Sequence, residues 1–184
     1  MVSPAQADTW YNSLAINAHS VVISQDGTKI AVLNESSNRD TVYLSTDSGV
    51  TWSQVVVDAG ATLSSLSADP TLATLYAHDT DANTLYTSTN GGTSWSEVVQ
   101  GNAGVRDWRA ITSSSDGTKL VAVENTGGTG DIWTSTDSGV TWTNRTDASV
   151  ERNWRAITSS ADGVKLVAAN YAGYLYTSTD SGVT

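Results

Sequence analysis

The eight residues Ser45-Thr46-Asp47-Ser48-Gly49-Val50-Thr51-Trp52 recur along this chain, and their recurrence limits the folds open to it. The second copy is Ser88-Thr89-Asn90-Gly91-Gly92-Thr93-Ser94-Trp95, and the third runs from Ser135 to Trp142. A fourth, Ser178 to Thr184, carries the motif up to its threonine. In the pattern S-x-D-x-G-x-T-W, the short acidic side chain accepts hydrogen bonds from its own turn, and the glycine supplies a left-handed backbone position. The Thr-Trp pair then leads into a strand with β-favouring residues. Each copy is therefore a hairpin corner, and four regularly spaced corners predict a repeat protein.

The acidic positions are 43, 47 and 43 residues apart, a period shared by propeller blades and helical arrays. Helical arrays are disfavoured, because each repeat divides into four short β-like runs without a sustained 3.6-residue apolar period. In the third repeat the predicted strands are Trp108–Thr112, 119–123, 131–135 and 141–145. Asp116-Gly117 turns the first hairpin, as do Asp26-Gly27 and Asp162-Gly163 in their repeats. The second repeat has Asp69-Pro70 instead, which predicts a longer, irregular connection. Segments 108–122 and 154–168 agree at 13 of 15 positions. The position of Arg109 falls on His19 in the first repeat and on Thr62 in the second.

Composition fits short strands and many turns. The 184 residues contain seven Trp and seven Tyr but no Phe or Cys, so no disulfide supports the core. With 19 acidic and 9 basic residues the net charge is −10, which repels phosphate backbones and argues against nucleic-acid binding. No apolar run approaches the roughly 20 residues of a membrane-spanning helix. Ala5-Gln6-Ala7 is like the small-residue end of a signal peptide and points to a secreted or periplasmic protein.

These corners resemble the Asp-box (BNR) repeat of sialidases, sortilin-type receptors and photosystem-assembly factors. The resemblance runs from about Trp10 to Thr184. It implies an all-β fold, a β-propeller of four-stranded antiparallel blades with the box between the third and fourth strands. The structural box residues are then Asp47, Gly49 and Trp52; Asn90, Gly92 and Trp95; Asp137, Gly139 and Trp142; and Asp180 and Gly182 with Trp10. The whole chain, 1–184, reads as one propeller domain with repeats at approximately 10–51, 52–94, 95–141 and 142–184.

The fourth repeat is expected to take its outer strand from the other end of the chain. Thr9-Trp10-Tyr11-Asn12 matches Thr141-Trp142-Thr143-Asn144 at Thr, Trp and Asn, so residues 8–13 are expected to complete the last of four blades. Closure removes exposed sheet edges. Members of the resembled family have more than four blades. The favoured reading is accordingly an eight-bladed ring formed by a homodimer exchanging terminal strands, with a closed four-bladed monomer as the alternative.

In such meanders the boxes gather on one face and any ligand is expected on the other. That second face carries Arg106, Trp108 and Arg109 and the matching Arg152, Trp154 and Arg155. Four of the six arginines lie in these two segments, and an Arg fork beside an indole suits a glycan or a peptide carboxylate. An alternative is that the indoles fill the space between blades while the arginines pair with Asp107, Glu151 and neighbouring carboxylates.

No metal or cofactor is expected. His19 and His78 stand apart, and Asp79-Thr80-Asp81 reads as a solvated loop in preference to a calcium site. A sialidase needs an arginine triad with differentiated acid, base and nucleophile, whereas here the arginines occupy duplicated positions. The expectation is a non-catalytic recognition module or scaffold. The alternatives are a trimmed or engineered self-assembling propeller fragment without a ligand, and a sialidase-like glycoside hydrolase.

Overall fold

A computed structural model describes residues 13–34, 39–98, 103–104, 106–125, 130–146 and 152–184. Its strands form four antiparallel sheets in chain order. Sheet one holds β1 (Ala18–Ile23), β2 (Ile30–Asn34), β3 (Thr41–Ser45) and β4 (Ser53–Val56). Sheet two holds β5 (Leu63–Ala68), β6 (Leu75–Asp79), β7 (Thr84–Ser88) and β8 (Ser96–Glu97). The third contains β9 (Trp108–Ser113), β10 (Leu120–Glu124), β11 (Ile132–Ser135) and β12 (Thr143–Asn144). In the fourth, β13 (Trp154–Ser159), β14 (Leu166–Asn170) and β15 (Leu175–Ser178) pair in that order. The stretch expected to complete it, 8–13 with Trp10, lies outside the described residues apart from Ser13.

Each corner is built by the same bonds. Gly49 N–H and Gly139 N–H donate to the hydroxyls of Ser45 and Ser135, both at 2.9 Å. Those hydroxyls donate to Asp47 and Asp137 at 2.8 and 2.7 Å. The backbone N–H and the hydroxyl of Thr51 close on Asp47 at 2.8 and 2.6 Å, and Thr141 does the same on Asp137. Asn90 replaces the carboxylate in the second repeat, accepting from Ser94 N–H at 3.0 Å and donating to its hydroxyl at 2.7 Å. Two successive residues of the corner are left-handed, Ser48 and Gly49 in the first (φ 60° and 85°). The indole does not begin the fourth strand. It folds back, so that Trp52, Trp95 and Trp142 each donate from Nε1 to the carbonyl of their own box glycine at 2.9–3.0 Å.

The second repeat's first hairpin differs from expectation. Its connection, 69–74, has the same length as 24–29 and 114–119. Asp69 stands in for the Ser-Asp pair by accepting from the backbone N–H groups of Thr71 and Thr74. Leu72, at φ 52°, occupies the left-handed position that glycine holds elsewhere. Burying its side chain among Leu66, Leu75 and Leu44 offsets that conformational cost.

Successive sheets pack face to face. The inner strand β1 lies against β5, β5 against β9 and β9 against β13, while β13 makes no comparable packing against β1 among the described residues. Three apolar clusters fill the three junctions. Leu33, Val42, Leu63 and Leu75 join sheets one and two; Tyr76, Leu85, Trp108 and Trp142 join two and three. Val121, Val123, Trp154 and Ile157 join three and four. The two outer faces of the array stay open, with Val21 64% exposed on β1 and Leu175 71% exposed on β15.

Trp108 is fully buried and its ring lies 5.6 Å from that of Trp142. Trp108→Ala is expected to lower stability by about 3–5 kcal/mol, since it leaves a cavity between two sheets. Urea denaturation followed by circular dichroism reads this as a shift in midpoint.

Candidate functional site

The corners and the first-to-second-strand turns form one face, tied by Ser48 N–H to the Thr28 carbonyl and Ser138 N–H to the Thr118 carbonyl. The opposite face is set by an irregularity that the sequence hides. Each inner strand carries a β-bulge near its start, and the extra residue is His19, Ser64, Arg109 or Arg155. Bulges break the alternation of a strand and re-aim one side chain. The counterpart of Arg109 in the second repeat is therefore Ser64, two residues beyond the expected Thr62.

The structure separates the six candidate residues by exposure. Trp108 and Trp154 are both fully buried, and Trp154 donates from Nε1 to the Gly130 carbonyl at 2.9 Å. These indoles fill the junctions between sheets, which leaves the arginines as the groups that reach solvent. Arg106 lies over Trp133 at 4.4 Å, bonds the Ala103 carbonyl through Nε at 2.7 Å and sits 4.0 Å from Glu124. Its counterpart Arg152 lies over Tyr176 at 4.4 Å and Trp154 at 5.6 Å. Arg109 pairs with Asp107 at 2.9 Å. Arg155 is exposed and stacks on Tyr171 at 4.9 Å. The Nε atoms of Arg109 and Arg152 are buried with no hydrogen-bond partner. Val105 and Glu151, from the same segments, lie outside the described residues.

His78, set aside by sequence reasoning, belongs to this region. It is fully buried between sheets two and three, and its Nδ1 lies 3.0 Å from the Ser64 hydroxyl. Burial lowers its pKa to about 4; Asp79 opposes that shift and the Arg109 charge adds to it. The imidazole is therefore neutral near pH 7. Its Nε2 has no hydrogen-bond partner. Asp79 is also buried, contrary to the solvated loop expected there. Its carboxylate accepts from the backbone N–H groups of Thr62, Asp81 and Ala82, which makes it a turn cap. Among the described residues no group of three His, Cys, Asp or Glu is placed to hold a metal ion.

The corner carboxylates act as structural anchors. Hydrogen bonds from Thr51, Thr141 and Thr184, with smaller contributions from the corner serines, lower the pKa of Asp47, Asp137 and Asp180 to about 2.

No family model matches the chain, and no curated protein matches it. Solved structures do. A GH74 enzyme from Niastella koreensis aligns with a TM-score of 0.66 and 20% identity, over 90% of this chain and 23% of its own. A nidogen/laminin complex aligns with a TM-score of 0.68 and 14% identity, over 88% of this chain and 60% of its own. YCF48 bound to D1 peptide gives 0.62 and 19%, over 85% of this chain and 48% of its own. The chain thus spans less than two thirds of each of these proteins. At such identities the likeness defines the fold: the four sheets are blades of a β-propeller repeat fold.

Two titration steps follow from the lowered values. A group with a depressed folded pKa contributes stability above its unfolded value and loses it as pH falls through the folded one. Thermal stability should fall from about pH 6.5 towards 4 as His78 charges, and again from about 3.8 towards 2 as the corner carboxylates protonate. His78→Gln should remove the first step in a pH series of melting temperatures and leave the second.

Proposed function

We propose that the chain is a non-catalytic recognition module of the Asp-box propeller kind, completed into an eight-bladed ring by a second copy. Its ligand is an anionic group, a peptide carboxylate or an acidic sugar, held on the face opposite the boxes. The observation that carries this reading is the placement of Arg109 and Arg155 at bulges. The repeated irregularity turns a guanidinium out of the strand pattern at equivalent stations of adjacent blades. Arg155 offers its fork beside exposed Tyr171, with no ion pair among the described residues, in a chain whose net charge is −10. A guanidinium stacked on an aromatic ring keeps its N–H donors in plane and free for a bidentate partner. The peptide on YCF48 provides an analogy for the ligand class.

The non-catalytic reading is supported by the duplication itself. Acid, base and nucleophile need different environments, and two of the four equivalent stations here carry the same residue, Arg109 and Arg155.

Arg109→Ala with Arg155→Ala should abolish retention on an array of peptides and sialylated glycans while moving the melting temperature by less than a few degrees. An array on which the parent chain retains nothing would leave the ligand-free scaffold as the better account. Hydrolysis of a fluorogenic sialoside that copurifies with the protein would overturn the non-catalytic reading.

A further inference from the structure

The third and fourth blades carry the same arginine at the same bulge, in segments that agree at 13 of 15 positions from the tryptophan onward. Outside that stretch they differ at two positions that decide what the guanidinium meets. Two residues before the arginine, blade three has Asp107 and blade four has Asn153. Directly after the second strand, blade three has Asn125 and blade four has Tyr171. The backbone at these positions is the same. Asn125 N–H donates to the Asp107 carbonyl at 2.9 Å, and Tyr171 N–H donates to the Asn153 carbonyl at 2.8 Å.

The side-chain exchange changes the charge of the station. Arg109 donates from Nη2 to the Asp107 carboxylate at 2.9 Å, and the pair is neutral. Arg155 has no ion pair and donates no hydrogen bond among the described residues; its guanidinium lies over the Tyr171 ring at 4.9 Å. Asn153 brings no charge. Its carboxamide oxygen accepts from Asn125 Nδ2 at 2.9 Å, across the junction between the two blades. Its own Nδ2 donates to no described residue, so blade four offers donors where blade three supplies an acceptor.

We infer that Arg155 is the one open anion station of these blades, and that Asp107 keeps the Arg109 station closed as a built-in ligand. This rests on the recognition reading above and narrows it to one blade and one ligand class. The group taken up is a peptide carboxylate, since that is what the chain itself sets on the equivalent guanidinium. An outside carboxylate reaching Arg109 has to displace Asp107 against like charge. At Arg155 it meets a guanidinium whose N–H donors the stacked ring leaves in plane, with exposed Tyr171 as a flat apolar surface beside them. Blades one and two place no guanidinium at their bulges. They carry His19 and Ser64 there, and Ser64 is engaged with His78 at 3.0 Å.

The test follows the Nε–H signals of the six arginines by NMR in protein made with isotope-labelled arginine, with Arg109→Lys and Arg155→Lys assigning the two at issue. The probes are the amide of N-acetyl-aspartate, as a peptide carboxylate, and methyl glucuronide, as a sugar carboxylate. In the parent chain the aspartate probe should shift Arg155 and leave Arg109 in place. Asp107→Asn should make Arg109 respond as Arg155 does, and Asn153→Asp should weaken the Arg155 response roughly tenfold or more in Kd. Each variant introduces the residue that the neighbouring blade carries at that position, and either one alone decides the matter should the other fail to fold. Equal responses of both arginines in the parent, a silent Arg109 in Asp107→Asn, or a full Arg155 response in Asn153→Asp would overturn the single open station while leaving recognition on this face standing. A response to the glucuronide alone would overturn the peptide as source. Silence of both arginines towards both probes in all three proteins would overturn the recognition reading and the station with it.

Discussion

A serine hydroxyl that accepts from a glycine N–H and donates to a carboxylate two residues after the serine governs this architecture. At Ser45, Ser135 and Ser178 the same three-centre arrangement fixes two left-handed residues in succession, an expensive backbone path that local hydrogen bonds make accessible. Once the corner is fixed, the tryptophan that follows has one place to go. Its indole returns to the glycine carbonyl and becomes part of the wall between blades. A local turn thereby specifies a long-range packing surface, and repetition of the turn specifies a row of blades.

The opposite face follows from what the corners leave free. The bulges at His19, Ser64, Arg109 and Arg155 interrupt the inner strands at a common height, away from the corners. The indoles of Trp108 and Trp154 are committed to the junctions, so the recognition we propose would fall to the guanidinium groups and the tyrosines beside them. Arg106 and Arg152 stack on the third-strand aromatics Trp133 and Tyr176, which positions their charge without exposing it fully. Arg155 is the most accessible of the set.

Much of the fold was legible because a short polar motif recurred with constant chemistry. The Asp-Gly turns, the strand phase and the four sheets could be read directly, since each depends on residues within one hairpin. What could not be read depends on partners far away in sequence. Leu72 takes a left-handed conformation because blades one and two bury its side chain, and Asp69 hides that substitution behind a proline. The bulge that shifts the equivalent of Arg109 to Ser64 shows only in the pairing of β5 with β6. His78 looked isolated because Ser64 and Arg109 reach it across a hairpin and a blade junction. The folding back of the box indoles was also hidden, because a Thr-Trp pair looks like the start of a strand.

Each corner is a preformed unit on which its blade depends. Amide hydrogen exchange at Gly49, Gly92 and Gly139 measures it most directly, because these N–H groups bond only to their box serines. Protection close to that of the inner-strand amides is expected, with Ser135→Ala raising exchange at Gly139 and along β11 and β12 together. Exchange at unstructured rates for these glycines, in blades whose inner strands remain protected, would contradict it.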